Sequence, residues 1–108
     1  MTLKIEFDTN EYLKNIAKGK SYFHTFINRD NLAAGILRLE PGGEDIQAPH
    51  DSDEIYYVVR GDGFLNIDGK DHPISEGMTY FVGKNIEHKF HGNKKELVVL
   101  YFFSGPDS

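Results

Sequence analysis

His50 and Glu54, four residues apart, are the first pair in this sequence whose types and spacing could do chemistry. Glu54 opens a run of β-forming residues, and side chains at even spacing share one face of an extended segment. The two side chains are therefore expected to point the same way as Tyr56. A carboxylate on an inward face beside a tyrosine is costly to bury unless it meets a cation. A metal ion would serve, and the alternative is that Glu54 caps a loop at the mouth of a barrel.

The other histidines differ in how well their positions suit a ligand. His88 lies two residues before Phe90, so the two side chains share a face if the segment is extended. His91 comes three residues after His88 and would face the other way. His24 lies on an early predicted strand and His72 beside a turn. We interpret these last three histidines as structural.

Four further side chains are candidates for the pocket around such a site. Tyr56 and Phe90 are candidate walls, and the alternative is that both belong simply to the core. Arg38 and Tyr80 are candidate polar groups of the same pocket. The sequence contains neither a Gly-X-Ser-X-Gly elbow nor a phosphate-binding loop, so nucleophilic catalysis is not predicted.

The elements that must position these side chains are one helix followed by short strands. Asp8 with Glu11 three residues later is typical of a capping box, and Gly19 is typical of a helix end, which predicts a helix of about ten residues. Beyond Gly19 the apolar period changes to two, and Asp68-Gly69 indicates a hairpin. The repeated alternation of short strand-forming runs with turn residues predicts an all-β sandwich or barrel. The predicted strands span residues 22–27, 32–39, 54–59, 64–67, 72–74, 78–82, 87–91 and 97–103.

Length and composition bound the class of protein. The 108 residues form one domain, and an apolar share of 39% suits a globular core. The absence of cysteine excludes disulfides and thiolate metal sites. A net charge of −5 with scattered lysines argues against nucleic acid. We see no signal peptide and no membrane-spanning run, so we expect a cytoplasmic protein without a membrane partner.

The spacing of these residues resembles the first sequence motif of the cupins. That motif is Gly, five residues, His-X-His, three or four residues, Glu, six residues, Gly. Gly42, His50, Glu54 and Gly61 stand in register with it, and Ala48 occupies the position of the first histidine.

The second cupin motif is also present in outline. Gly77 and His88 are in register, Gly83-Lys84-Asn85 replaces the family's Pro-X-Gly, and the final asparagine is displaced by one, to Asn93. The resemblance covers residues 32–103. It implies an all-β, cupin-type double-stranded β-helix (jelly-roll) barrel with a short N-terminal helix. Residues 1–31 would supply an N-terminal strand, the helix and the first barrel strand, and residues 32–108 the conserved barrel.

The resemblance further implies one divalent metal ion per chain, bound by His50, Glu54 and His88. The family's fourth ligand is lost at Ala48. Two histidines and one carboxylate are the ligand set of a facial triad, which favours Fe(II), although Zn²⁺, Mn²⁺ and Ni²⁺ are also compatible. Two alternatives stay open. Three ligands could bind too weakly, which would leave a metal-free organic pocket, or Gln47 could replace the lost ligand, although strand alternation places it on the opposite face.

Two functions of different class fit these features. The first is a metal-dependent oxygenase, isomerase or lyase acting on a small polar metabolite. The second is a non-catalytic module that binds a sugar or another small molecule. Cupins host many chemistries, so the fold does not choose between them. The resemblance also implies a homodimer formed through the outer sheet and the N-terminal strand, with Leu3, Ile5 and Phe7 at the interface.

Overall fold

The computed structural model of the protein describes residues 3–19 and 21–107. In these residues one α-helix precedes a series of short β-strands, as the sequence predicted. The helix is α1 (Thr9–Lys18), and the strands are β1 (Phe23–Arg29), β2 (Leu32–Leu39), β3 (Glu54–Arg60), β4 (Phe64–Ile67), β5 (Lys70–Pro73), β6 (Thr79–Val82), β7 (His88–His91) and β8 (Leu97–Phe103).

Helix α1 has the predicted ends. The Asp8 carboxylate accepts a hydrogen bond from the backbone N–H of Glu11 at 3.1 Å, which satisfies a free donor of the first turn. The N–H of Gly19 donates to the Ile16 carbonyl and closes the last turn. Among the described residues, no helix is long and apolar enough to cross a membrane.

The strands form two antiparallel sheets. The larger sheet has the order β1-β2-β8-β3-β6, and the smaller has the order β5-β4-β7. Strand β8 lies between β2 and β3 and pairs with both. It therefore joins the β1-β2 pair to the β3-β6 pair within the larger sheet. The inner faces bury one main cluster that includes Leu37, Val58, Leu65 and Val99. This arrangement fits a jelly roll.

The expected closed barrel is not formed by backbone pairing in the described residues. The edges of the two sheets, β1 and β6 against β5 and β7, are not hydrogen-bonded to each other as ladders. Three of these four edge strands are short, with four residues each for β5, β6 and β7. The two sheets therefore face each other as layers joined by loops.

Turn chemistry sets two of the connections. Asp68 and Gly69 both have positive φ, 51° and 83°, which is the conformation of the predicted two-residue hairpin between β4 and β5. Gly61 ends β3 at a φ of 110°, and a Cβ at this position would lie 2.6 Å from the Glu96 carbonyl oxygen. Only glycine fits there without displacing the chain that enters β8.

The N-terminal part differs from the prediction in two respects. Within the part of the chain that the structure describes, residues 3–8 are in no strand, and Phe7 packs on Phe26 with ring centroids 5.4 Å apart. Strand β1 continues to Arg29, beyond the predicted residue 27, because it pairs with Leu32 across the short turn Asp30-Asn31 and absorbs a bulge between Thr25 and Ile27.

Candidate metal centre

Glu54 and His88 meet between the two sheets. Glu54 begins β3 in the large sheet, where it lies between Val82 and Phe103 of the neighbouring strands. His88 begins β7 in the small sheet. The side chains are only 1% and 2% exposed, and His88 Nε2 lies 3.1 Å from Glu54 Oε1. A carboxylate and an imidazole from opposite layers therefore share one buried space.

The tautomer of His88 follows from its other ring nitrogen. Nδ1 lies 2.8 Å from the carbonyl oxygen of Ile86, and a carbonyl can only accept, so Nδ1 carries a proton. In the neutral ring, Nε2 then presents a lone pair to a carboxylate that also only accepts. Although the 3.1 Å separation is that of an ion pair, the two groups are not aligned as a hydrogen bond. The contact is favourable only with a positive charge, either a proton or a metal ion, at this place.

The pKa of His88 reflects this surrounding. Burial alone lowers the pKa of the imidazole, but the Glu54 carboxylate and the Ile86 carbonyl outweigh burial and raise it above its usual value. The same carboxylate acts on Tyr56. Burial first, and then the charges of Glu54 and Asp45, raise the pKa of that phenol well above its usual value, so the hydroxyl stays protonated at neutral pH.

Several buried polar atoms of this region have no hydrogen-bond partner among the described residues. Buried polar groups in proteins are nearly always paired with protein, ordered water or a bound ligand, so this cluster is a place where water or a ligand would complete the pairing. The unpaired atoms are His50 Nε2, both carboxylate oxygens of Glu54, the Tyr56 hydroxyl and His88 Nε2.

His50 is positioned by its backbone and not by a strand. Residues 40–53 contain no helix or strand, and the His50 carbonyl accepts a hydrogen bond from the N–H of Asn85 at 2.7 Å. This bond ties the His50 loop to the turn that leads into β7. The His50 ring packs against Phe103 at 4.3 Å between centroids and lies 6.3 Å from the His88 ring.

The three predicted ligands do not converge as a ready-made metal site. Within residues 3–19 and 21–107, no group of three His, Cys, Asp or Glu side chains lies close enough to hold one ion together. Glu54 and His88 contact each other directly, and His50 faces the same region from the loop. The two imidazoles and the carboxylate are donor types that suit a cation, and their unpaired atoms are free to bind one. His50, however, lies too far from Glu54 and His88 for all three to bind the same ion in this conformation.

Tyr56 and Phe90 close the inner side of this region. Both are buried, and their rings make an edge-to-face contact with centroids 4.8 Å apart. Tyr56 also lies 5.8 Å from the His88 ring. The two buried rings lie behind the Glu54 carboxylate and shield it from water on that side. Both rings also belong to the main core cluster.

The polar groups of Arg38 and Tyr80 make contacts with other parts of the chain. Arg38 alternates with the inward-facing Leu37 and Leu39, so its guanidinium lies on the opposite side of β2, bound to Glu96 at 2.6 Å. The Tyr80 hydroxyl donates to the Pro73 carbonyl and accepts from the N–H of Ser75. Arg38 therefore lies on the outer face of the large sheet, whereas Tyr80 stands opposite Tyr56 in the strand register and packs against the core with its hydroxyl bonded to the β5–β6 connection.

Two other histidines lie at a distance from the candidate centre. The His24 ring contacts Tyr12 of the helix, with ring centroids 4.8 Å apart and the ring planes tilted by 44°. His91 follows the outward alternation of β7 and pairs with Asp71 at 2.7 Å.

Asp45 is a buried residue that the sequence analysis did not single out. Its carboxylate accepts hydrogen bonds from the Tyr22 hydroxyl at 2.7 Å, from the N–H of Phe90 at 2.9 Å and from the Gln47 amide at 3.0 Å. It therefore links the residue before β1, strand β7 and the irregular segment that carries His50. Gln47 is half-buried beside it, and the argument from strand alternation does not apply, since this segment is not a strand. No sequence pattern marks Asp45, because its partners are distant in the chain.

Comparison with known proteins decides the family. Residues 35–104 match the family model of the cupin domain, which is more than half of the chain. The chain belongs to the cupin family. A relative from Streptomyces coelicolor, the uncharacterised protein SCO3923, is 34% identical over 83 residues, which cover 77% of this cupin and 79% of the relative.

Solved structures show the same fold at lower sequence identity. An RmlC-like cupin from Shewanella frigidimarina has a TM-score of 0.71 at 21% identity, covering 80% of this cupin and 77% of that chain. The DMSP lyase DddQ from Ruegeria pomeroyi has a TM-score of 0.69 at 19% identity, covering 77% of this cupin and 46% of the lyase. At these identities the likeness concerns the fold alone.

Proposed function

We propose that this cupin binds one divalent metal ion through His50, Glu54 and His88, inside a double-stranded β-helix of the cupin type. The observation that carries the proposal is the pair formed by Glu54 and His88, in which buried acceptor atoms face each other at 3.1 Å without an aligned hydrogen bond. Leaving a carboxylate buried and unpaired costs several kcal/mol, on the order of 3–5. A metal ion would remove that cost, and a modest turn of the His50 side chain or its loop would supply the third ligand.

The donor set indicates which ions suit the site. Two imidazoles and one carboxylate favour Fe(II), and Zn²⁺, Mn²⁺ and Ni²⁺ remain compatible. A bound ion would act as a Lewis acid toward a substrate oxygen. The chain itself would orient His88 through the Ile86 carbonyl, and Tyr56 with Phe90 would exclude water from the inner side.

The reaction class that we propose is an oxygenase, isomerase or lyase reaction on a small polar metabolite. The fold is compatible with lyase chemistry, since the structural neighbour from Ruegeria pomeroyi is a DMSP lyase. A non-catalytic binding module is the second candidate. It is favoured by one observation, namely that Ala48, at the position of the family's first histidine, is an exposed residue that offers no ligand.

The test is elemental analysis of untagged protein after loading with each metal, comparing wild type with His50→Ala and His88→Ala. We expect about one equivalent of a transition metal in the wild type and a reduction of at least about tenfold in affinity in either variant. Exposed His24→Ala is the matched control and should keep the metal. Wild-type protein that stays metal-free after loading would contradict the metal site and favour the binding module.

We also propose that the cupin forms a homodimer through the outer face of the large sheet. Helix α1 covers this face over Ile36 and Val98, but β3 and β6 present exposed apolar side chains beside it. Ile55 lies directly between Phe81 and Phe102 in the strand register, so the apolar side chains are contiguous. A second copy offers the same uncharged surface, as an isologous interface requires.

Phe81→Asp is expected to convert the dimer to a monomer, because it would place a charge in the centre of the proposed interface. Phe81 is 63% exposed within one chain, so the substitution should leave the monomer folded. Light scattering coupled to size exclusion gives the mass. Ile46→Asp, which adds the same charge to an exposed apolar residue outside this face, should stay dimeric. A monomeric wild-type protein would contradict the proposal.

A further inference from the structure

An aromatic cavity lies next to His50, on the side of the loop that faces β1 and β8. Its volume is about 300 Å³, in the range of small-molecule sites. Four aromatic residues contribute to its lining, together with His50 and the carboxylate residue Asp107. The aromatic residues are Tyr22, Phe23, Tyr101 and Phe103.

The charge of this aromatic cavity is negative. None of its described lining residues is lysine or arginine, and Asp107 is the acidic one among them. Asp107 is held in place by β1: the Thr25 hydroxyl donates to its carboxylate, and its backbone N–H and carbonyl both bond to the side chain of Asn28. These hydrogen bonds hold the Asp107 carboxylate in a fixed position in the cavity lining.

The polar groups of the lining are arranged to donate away from a ligand. The Tyr22 hydroxyl and the Gln47 amide both donate to Asp45. Since Thr25 has one hydroxyl proton and gives it to Asp107, the Tyr101 hydroxyl must donate to Thr25 across the 2.7 Å that separates them. Both tyrosine hydroxyl protons and one of the two Gln47 amide protons are thus already used, so an anion entering the cavity would find few free side-chain donors.

From this arrangement we infer that the aromatic cavity binds a small organic cation, such as a quaternary ammonium group. Aromatic faces carry negative charge density and attract cations, and a nearby carboxylate adds to the attraction. The cation would lie among the rings of Tyr22, Phe23 and Tyr101, with the rest of the ligand extending toward His50. The inference rests on the proposed function only for that extension toward His50, and the cation subsite itself is independent of a metal.

The test compares choline with 3,3-dimethyl-1-butanol, its uncharged isostere, by calorimetric or NMR titration of the metal-free and the metal-loaded protein. We expect choline to bind at least about tenfold more tightly than the isostere, which corresponds to about 1.4 kcal/mol. Asp107→Asn should reduce this preference several-fold, whereas Asp30→Asn, an exposed aspartate in the β1–β2 turn, should not. Phe23→Leu keeps an apolar side chain but removes the aromatic face, so it should weaken the binding of choline and leave the binding of the uncharged isostere unchanged.

Equal affinity for choline and its isostere, tighter binding of the anion 3,3-dimethylbutanoate, or no saturable choline binding in the millimolar range would each overturn the inference. Thermal unfolding of each variant checks that it is folded. Metal content, measured on the same samples, separates the two proposals. If the protein takes up no metal but still prefers choline, the cation site is supported and the metal site is contradicted. If the protein takes up metal but shows no preference for choline, the metal site is supported and the cation site is contradicted.

Discussion

Glu54→Gln is expected to abolish stabilisation of this cupin by metal while leaving the metal-free protein at least as stable as the wild type. The carboxylate is buried without an aligned hydrogen bond, so it adds little to the stability of the metal-free fold. Glutamine keeps its shape and removes its charge. With the charge gone, His88 can stay neutral and keep its bond to the Ile86 carbonyl.

The measurement is thermal or urea unfolding with and without metal. At a metal concentration of about a hundred times Kd, wild type should gain about 2.7 kcal/mol and the variant close to none. For a domain of this size each kcal/mol moves Tm by about 4–8 °C. Glu44→Gln, at an exposed glutamate, is the control and should behave as wild type. If metal-free Glu54→Gln lost several kcal/mol, the carboxylate would be a structural ion-pair partner of His88 instead.

Asp45→Ala is expected to lower the free energy of unfolding by about 3 kcal/mol. The substitution leaves the Tyr22 hydroxyl and the N–H of Phe90 without the acceptor that now lies at 2.7 Å and 2.9 Å. Buried donors left unpaired carry the full cost of their lost hydration, which exceeds the net gain of an ordinary hydrogen bond. The N–H of Phe90 belongs to the core wall, so water would not reach it easily.

The prediction is checked by urea unfolding of Asp45→Ala, Tyr22→Phe and the double variant. Tyr22→Phe removes one of the bonds and should cost about 1 kcal/mol, and the double variant should cost less than the sum, because the two residues share that bond. Glu44→Ala, at the exposed neighbour of Asp45, should change stability by less than about 0.5 kcal/mol. An Asp45→Ala protein as stable as the Glu44→Ala control would show that the carboxylate does not hold the loop.

Local features of the fold were predictable because their causes lie within a few residues. The cap at Asp8 and the end at Gly19 depend on backbone groups of the same helix. The hairpin at Asp68-Gly69 depends on two residues that tolerate positive φ. Alternation in β3 places Glu54 and Tyr56 on the buried face as predicted, because a regular strand has a period of two.

The candidate centre was predictable only in part, because its residues come from different layers. The sequence predicts a strand over 87–91 that contains His88, but pairing of β7 with β4 in the small sheet is what brings this histidine opposite Glu54. The position of the Arg38 side chain has the same origin. Its inward or outward direction depends on which face of β2 meets the core, and Leu37 and Leu39 fill that face.

The sequence by itself determined the strand rhythm, the local turns and the family motifs of this cupin, since these follow from residue types at short spacing. Tertiary structure alone decided the sheet order, the meeting of Glu54 with His88 and the role of Asp45. The physical reason is that these features depend on contacts between segments far apart in the chain. In the folded chain β8 pairs with both β2 and β3, and no local pattern predicts that geometry.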